Sequence, residues 1–484
     1  MRSKEAKLPA TTGLRRVITA EPSLSFIYVK WKVKSSSISH SNPYEKSLFT
    51  LDIRMFVDLF LHPVRTWPPQ KSGGRGVVTT SINNKRVAEY FHKYRILPRE
   101  TRLLLVNTVF SSMPLGMITV IQPLYLKTVG YTSSSIGLLL GISSLSSMLF
   151  MIPGSLMADY FGRKKVLMVS IIAYALHMVM FSISGDFCLL ALALFLSGFS
   201  WGVYSAPFTA LLAENVGVDR RSYVFSFNSF LFSLSTIMGN LSSGLVDVFE
   251  GVLQMRPITS YKVLFVAGAM VMGLSVIPLL RLTEEKASAQ KETEVFKLKA
   301  WKAVKKFSAV NFLVGFGAGL FIPFLPLYLN MRYAASEALI GTVLAASDAV
   351  VAIAFLASPS LVERIGAVRT VVVTQGLSII PFVMMPLPID VNAFTLLYAV
   401  RTVLMNMASP IFTAYMMSVV DDQERASVSG ITTMAWVGGN AISSFLGGYL
   451  IDINLDLPIY LCSVLYVLAT SLCYFFFHKL DPKR

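Results

Sequence analysis

The chain has 484 residues, of which 54% are hydrophobic and only 14% charged, with a mean hydropathy of +0.61, whereas soluble domains carry about 25% charge. This balance excludes a soluble globular protein and a disordered chain, and the three cysteines, Cys188, Cys462 and Cys473, lie far apart in apolar runs, which excludes a disulfide scaffold. The formal charge of +16 points to the topology of a lipid-solvated chain and away from a nucleic-acid partner, because Lys and Arg collect in cytoplasmic loops.

Residues 1–84 are rich in Ser, Lys and Arg and hold one apolar patch, Ile53 to Leu61, too short to span a bilayer. They contain no signal-peptide core. Two accounts stand equally: a flexible cytoplasmic tail, or an incorrectly assigned start codon. Over residues 85–99, Val87, Tyr90, Phe91 and Tyr94 share one helical face, the pattern of an interfacial amphipathic helix. From residue 103 the sequence divides into twelve mainly apolar stretches of roughly 20 residues or more, the length a bilayer demands. The predicted spans are 103–127, 133–158, 166–184, 187–213, 222–246, 261–281, 303–330, 337–361, 368–388, 393–418, 427–450 and 458–478.

The predicted fold is all-α integral membrane, with twelve transmembrane helices. An N-terminal cytoplasmic tail (1–98) precedes a six-helix bundle (99–282), a cytoplasmic linker (283–302) and a second six-helix bundle (303–484). Loops on the side of the two termini hold 25 Lys/Arg and the alternate loops hold 4, namely Lys127, Arg256, Lys262 and Arg332. The positive-inside rule therefore places both termini in the cytoplasm.

The two halves repeat at an offset near 204 residues. Asn107 matches Asn311, Gly137 matches Gly341, Pro207 matches Pro410, Arg221 matches Arg425 and Gly244 matches Gly448, and Pro123-Leu-Tyr-Leu126 recurs as Pro326-Leu-Tyr-Leu329. Each half crosses an even number of times, so the halves share an orientation and are related by an axis along the membrane normal. Two such bundles can rock about their interface and expose a midplane site to either side, which is alternating access.

Between spans 2 and 3 stands Ser155-Leu-Met-Ala-Asp159-Tyr-Phe-Gly162-Arg163-Lys164-Lys165-Val-Leu167. It resembles the signature loop of the major facilitator superfamily, Gly-x-Leu-Ala-Asp-Arg-x-Gly-Arg-Lys-x-x-Leu. Asp159, Gly162, Arg163, Lys164 and Leu167 match, while Ser155 and Tyr160 replace the first glycine and the first arginine. A degenerate copy in the second half, Leu361 to Arg369, keeps the carboxylate as Glu363 and the turn glycine as Gly366. The resemblance covers residues 100 to 480 and implies a secondary transporter in which Asp159 and Arg163, joined by Glu214 at the end of span 4, form a cytoplasmic latch. Arg221 and Arg425 belong to the same loop set. On the residues alone, a glycine with positive φ suits the tight reversal, and Arg163 to Lys165 also serve as topology anchors.

Two charges fall inside spans, Asp348 in span 8 and Arg401 in span 10, and an ionisable group at such depth is a functional candidate by default. At 1.5 Å per residue both lie in the outer half, about 22 and 30 Å from the cytoplasmic ends. They are expected to flank the substrate path and to meet if their helices are neighbours, with Asp348 as the proton or cation site. A static buried pair is the alternative. Proton-driven drug exporters of the superfamily carry an arginine five residues before a glycine in span 4. Here Ser197 holds that place before Gly202, and Arg401 is its repeat mate. The Gly-Pro pair usual in their span 5 is Gly239-Asn240 here.

Asn107, Gln122, Asn311 and Asn406 are candidates for a polar cavity, and Asn228, Asn240 and Asn440 share their character, although hydrogen bonding between helices is the commoner role for such residues. His177 is expected to pack. Gly198-Phe-Ser200-Trp-Gly202 matches a hydrolase nucleophile pattern but sits within a helix, where close helix approach accounts for its glycines, as for Gly137/Gly141 and Gly315/Gly319. The sequence has no phosphate-binding loop, no His-Glu-x-x-His motif and no clustered His, Cys or carboxylates, so no catalytic residue, metal or cofactor is expected.

The expected protein is a monomeric plasma-membrane transporter that moves a small solute, with proton-coupled export of an amphipathic compound ahead of metabolite uptake by symport or uniport. A transport-dead receptor or scaffold is the remote alternative.

Overall fold

The computed structural model describes residues 97–216, 218–283, 301–387, 390–421 and 424–478. The expected tail, all but the last residues of the amphipathic helix and most of the linker lie outside these described residues. Among the described residues, twelve helical spans follow in order. Spans 1 to 4 are Arg99–Val129, Ser133–Phe161, Arg163–Ile183 and Phe187–Glu214. Span 5 runs Val218–Ser242 and continues as Leu245–Gly251, and span 6 runs Pro257–Leu274 and Val276–Leu280. Span 7 comprises Trp301–Phe321, a 3-10 turn Ile322–Phe324 and Leu325–Tyr333. Spans 8 to 12 are Glu337–Ile365, Ala367–Met384, Val391–Val419, Arg425–Ile453 and Leu457–Phe477. The predicted boundaries agree to within about five residues, since bilayer thickness sets the length.

Eleven of these spans are long and apolar enough to cross a membrane. Span 11 is the exception, being rich in Ser, Thr and Gly. It packs most extensively on span 7 in its own bundle and on span 2 of the other, so much of its surface meets protein and small side chains replace bulky apolar ones. The interruptions have local causes. Pro323 and Pro326 remove two N–H donors and break span 7. The turn at Ser275 in span 6 leaves a carbonyl free, and the Asn107 amide donates to it at 2.8 Å, which satisfies a buried backbone group.

Spans 1 to 6 and 7 to 12 form two bundles that meet along two seams, span 2 against span 11 and span 5 against span 8. The repeat is visible in geometry as well as in sequence. Gly162 and Gly366 start spans 3 and 9 at φ 93° and 88°, a conformation in which a Cβ is strained. Each donates its N–H back to the preceding helix, to Ala158 O and Val362 O. The aromatic core of the second bundle includes Phe307 stacked on Phe477 at 4.4 Å between ring centres and set edge-on to Phe412 at 5.3 Å.

Candidate functional site

Three features can serve transport: the loop latch, a pair of cavities and the contacts across the seams. At the loop, Arg163 forms an ion pair with Glu214 and lies 3.8 Å from Asp159. Its side chain is 13% exposed against 68% for Asp159, so the guanidinium is the element that the ends of spans 2, 3 and 4 enclose. Lys164 donates to the carbonyls of Leu280 (3.0 Å) and Leu282 (2.7 Å) and caps span 6, as a cation at a helix C-terminus does. Arg221 Nε donates to Ala213 O at 3.1 Å, and its repeat mate Arg425 donates to Met417 O at 2.8 Å, so both arginines staple a helix end.

Asp159, Arg163 and Glu214 thus come together. They do so inside the first bundle. The Glu363 side chain lies outside the described parts. Replacing Arg163 with Ala leaves Glu214 unpaired and removes the tie between three helix ends. The expected loss is about 1–3 kcal/mol of stability, read as a lower Tm in detergent, with Arg163→Lys recovering part of it.

One cavity of about 200 Å³ lies in the first bundle, lined among others by Thr108, Ser111, Tyr174, Trp201, Tyr204 and Phe208. A second, of about 350 Å³, lies in the other bundle and includes Asn311, Gln375, Asn406, Ser409, Thr413 and Thr432. Both occupy the halves of their bundles nearer the signature loop. Ser205, Phe208 and Thr209 of the first are repeat mates of Ser409, Phe412 and Thr413 of the second. The first wall is aromatic and hydroxylic, and the second is rich in amides and hydroxyls. Asn311 and Asn406 line the second cavity.

Asn107 and Gln122 line neither cavity. Asn107 is fully buried, accepts from Tyr204 Oη at 2.7 Å and positions that cavity residue. Gln122 is buried in span 1. Asn228 lines the first cavity and accepts from Thr108 Oγ1 at 2.6 Å.

The end remote from the signature loop is held shut. Lys127 Nζ bonds Asn330 at 2.7 Å, Ser133 N and Ser134 N bond Asp452 at 3.1 and 2.8 Å, and Ala338 N bonds Asp247 at 3.1 Å. Deeper in the seams, Ser144 donates to Asn440 at 3.2 Å and Asn240 donates to Asp348 at 3.0 Å. Glycines permit this approach: a Cβ on Gly341 would stand 2.1 Å from Asn240 O, and one on Gly448 would stand 2.0 Å from Ser133 O.

A family model described as Major Facilitator Superfamily matches residues 104–436 and 307–484. The chain belongs to the major facilitator superfamily. It is 21% identical over 367 residues to "Quinolone resistance protein NorA" of Staphylococcus aureus (strain COL), covering 74% of this chain and 92% of the relative. "Multidrug resistance protein 2" of Bacillus subtilis (strain 168) is 22% identical over 363 residues, covering 74% and 90%. Among solved structures, that of nucleoside transporter NupG aligns with a TM-score of 0.63 at 15% identity, over 79% of this chain and 100% of that one. A bacterial homologue of the human lysosomal transporter Spinster, inward-facing and occupied, aligns at 0.64 and 14%, over 78% and 95%. These structural likenesses establish the fold. The chain is a multi-pass membrane transporter.

The superfamily fold brings Asp348 and Arg401 to similar depth, about 15 Å from the ends of spans 8 and 10 remote from the signature loop, but it does not pair them. Arg401 is 4% exposed and turns into its own bundle, where its Nη2 donates to Tyr466 Oη at 2.9 Å. Its guanidinium lies 4.7 Å from the Phe382 ring centre and 5.5 Å from that of Tyr466, so aromatic faces take the place of a carboxylate. Asp348 instead faces the opposite bundle through Asn240. The expected pair is corrected on a geometric ground: depth follows from helix rise, while azimuth depends on packing. His177 packs edge-on against Tyr174 and Phe181, as anticipated.

Proposed function

We propose that this transporter exports an amphipathic compound across the plasma membrane by proton-coupled alternating access, with the signature loop and both termini in the cytoplasm. Asp348 carries the reading. It is a carboxylate well inside the membrane whose hydrogen-bond partner, Asn240, belongs to the other bundle. Protonation of a group so placed alters the seam that rocking must break, which is how an ion gradient can be tied to a change of access. The aromatic wall of the first cavity and the amide wall of the second suit a molecule with a flat apolar face and polar groups. The likeness to quinolone and multidrug resistance proteins favours the same class. The amides of Asn311, Gln375 and Asn406 favour uptake of a polar metabolite as the second reading.

The test uses purified protein in liposomes, with a quinolone and a lipophilic cationic dye as probes. Acid on the outer face is expected to drive the probe toward that face, by about tenfold per pH unit for one proton. Accumulation toward the loop side would favour symport, and flux indifferent to the gradient would favour uniport.

A further inference from the structure

The second bundle carries a buried charge with no counter-ion. Arg401 is 4% exposed, donates from Nη2 to Tyr466 Oη at 2.9 Å and lies over the Phe382 and Tyr466 rings. Those rings fix where the guanidinium sits, but they are neutral, and among the described residues its Nε has no partner. No carboxylate among the described residues forms an ion pair with it, and Asp348, at similar depth, is bonded to Asn240 of the other bundle. A guanidinium does not give up its proton. The charge therefore stays, and an uncompensated charge in a low dielectric is costly until an anion comes to it.

This charge adjoins the second cavity. Met405, which lines that cavity, stands one helical turn from Arg401 on the same face of span 10. Its Sδ accepts from Ser378 Oγ of span 9 at 3.8 Å, and Ser378 stands one turn from Phe382. Arg401 and Phe382 thus form the layer next to the cavity, on the side remote from the signature loop. Gln375 lines the same cavity, is 8% exposed, and its Oε1 has no partner among the described residues. The first bundle lacks all of this. At the 204-residue offset Arg401 corresponds to Ser197, Met405 to Trp201 and Gln375 to Ile171, and the last two line the first cavity. Among the described residues no charged side chain lines either cavity, so Arg401 sets the potential of the second.

We propose that the second cavity is an anion subsite, in which the acidic group of an amphipathic substrate lodges against the amides of Gln375 and Asn406 under the field of Arg401, its flat apolar part being left to the aromatic wall of the first cavity. The substrate class is then an organic acid or zwitterion with an aromatic body, and a lipophilic cation is disfavoured. Arg401 acts by its charge and not by contact, which makes it a positioning residue. At about 10 Å and an effective dielectric constant of about 20, a unit charge changes the local concentration of a monovalent ion roughly tenfold. The proposal rests on the export reading and narrows its substrate. Asp348 keeps its part, since proton exchange at the seam and anion capture in the cavity use different groups.

The test reads the charge of the cavity in the full chain. Ser409 of the second cavity, or its repeat mate Ser205 of the first, is replaced by cysteine in a Cys188→Ser background, Cys462 and Cys473 being buried. In lipid nanodiscs each is modified by an anionic sulfonatoethyl and by a cationic trimethylammonioethyl methanethiosulfonate, both rates being taken relative to a free thiol. The ratio of the two rates cancels the reactivity of the cysteine itself. Ser409→Cys is expected to favour the anionic reagent about tenfold more than Ser205→Cys does, with Arg401→Gln removing that preference and Arg401→Lys keeping it. A quinolone, which carries a carboxylate, is expected to bind Arg401→Gln about tenfold more weakly than wild type, while its methyl ester binds both alike. Equal ratios at Ser409→Cys and Ser205→Cys overturn the proposal even if Arg401→Gln does not fold, and so does a preference that survives in folded Arg401→Gln. Equal losses of affinity for acid and ester overturn it too. A preference that depends on Arg401, in a protein without quinolone flux, supports the subsite and counts against the export reading instead.

Discussion

Asp348→Asn is expected to abolish uphill transport. The substitution preserves shape and the ability to bond the Asn240 amide, but it removes the proton that the carboxyl group can bind and release between the bundles. Accumulation driven by one pH unit should fall from about tenfold to none, while exchange of probe down its own gradient persists. The check is paired flux in liposomes, with and without the pH gradient. Loss of both fluxes, with the melting temperature unchanged, would make Asp348 a substrate contact instead. Retention of both would make the Asp348–Asn240 bond a packing contact, and proton coupling would then have to reside elsewhere.

Gly341→Val is expected to hold the outer end open. The backbone of span 8 passes so close to span 5 that even a Cβ would lie 2.1 Å from Asn240 O, and backbone on the receiving side cannot turn aside as a side chain can. Overpacking of this kind costs about 1–3 kcal/mol. Since that cost falls on the closed state alone, the ratio of open to closed forms should rise about 5- to 150-fold. Gly448→Val should do the same at the other seam, where a Cβ would meet Ser133 O at 2.0 Å. Alkylation of a cysteine introduced at Ser144, halfway down the span 2 seam, by a membrane-impermeant reagent from the outer side reads the opening. Its rate should rise in both variants. An unchanged rate would mean that the seams relax by sliding and that glycine is not needed for closure.

The latch, the cavities and the closed outer end differ in how far the residues alone disclose them. Asp159, Gly162 and Arg163 form a compact motif in which each residue has a local task, so their association could be anticipated. Glu214 sits at the adjoining helix end, and it too was within reach. Asp348 and Arg401 were conspicuous because charge is costly in hydrocarbon, and their depth followed from the helical rise. Their partners did not follow, because whether Arg401 faces Asp348 or Tyr466 depends on how two helices are rotated against each other. Asp247 and Asp452 look like ordinary helix-end residues in the sequence, although the 205-residue offset between them follows the repeat. Tyr174, Trp201 and Tyr204 gave no signal, since an aromatic residue in an apolar helix suits lipid, core and cavity equally.

The sequence by itself determined the twelve spans, the duplication and the family, because bilayer thickness, the energetic cost of charge in lipid and a tight turn act locally, and their demands are written in consecutive residues. Tertiary structure alone decided which polar groups meet. The caps of spans 2 and 8 come from residues 318 and 91 positions away, and no local pattern specifies an interface that exists only when two bundles close on each other.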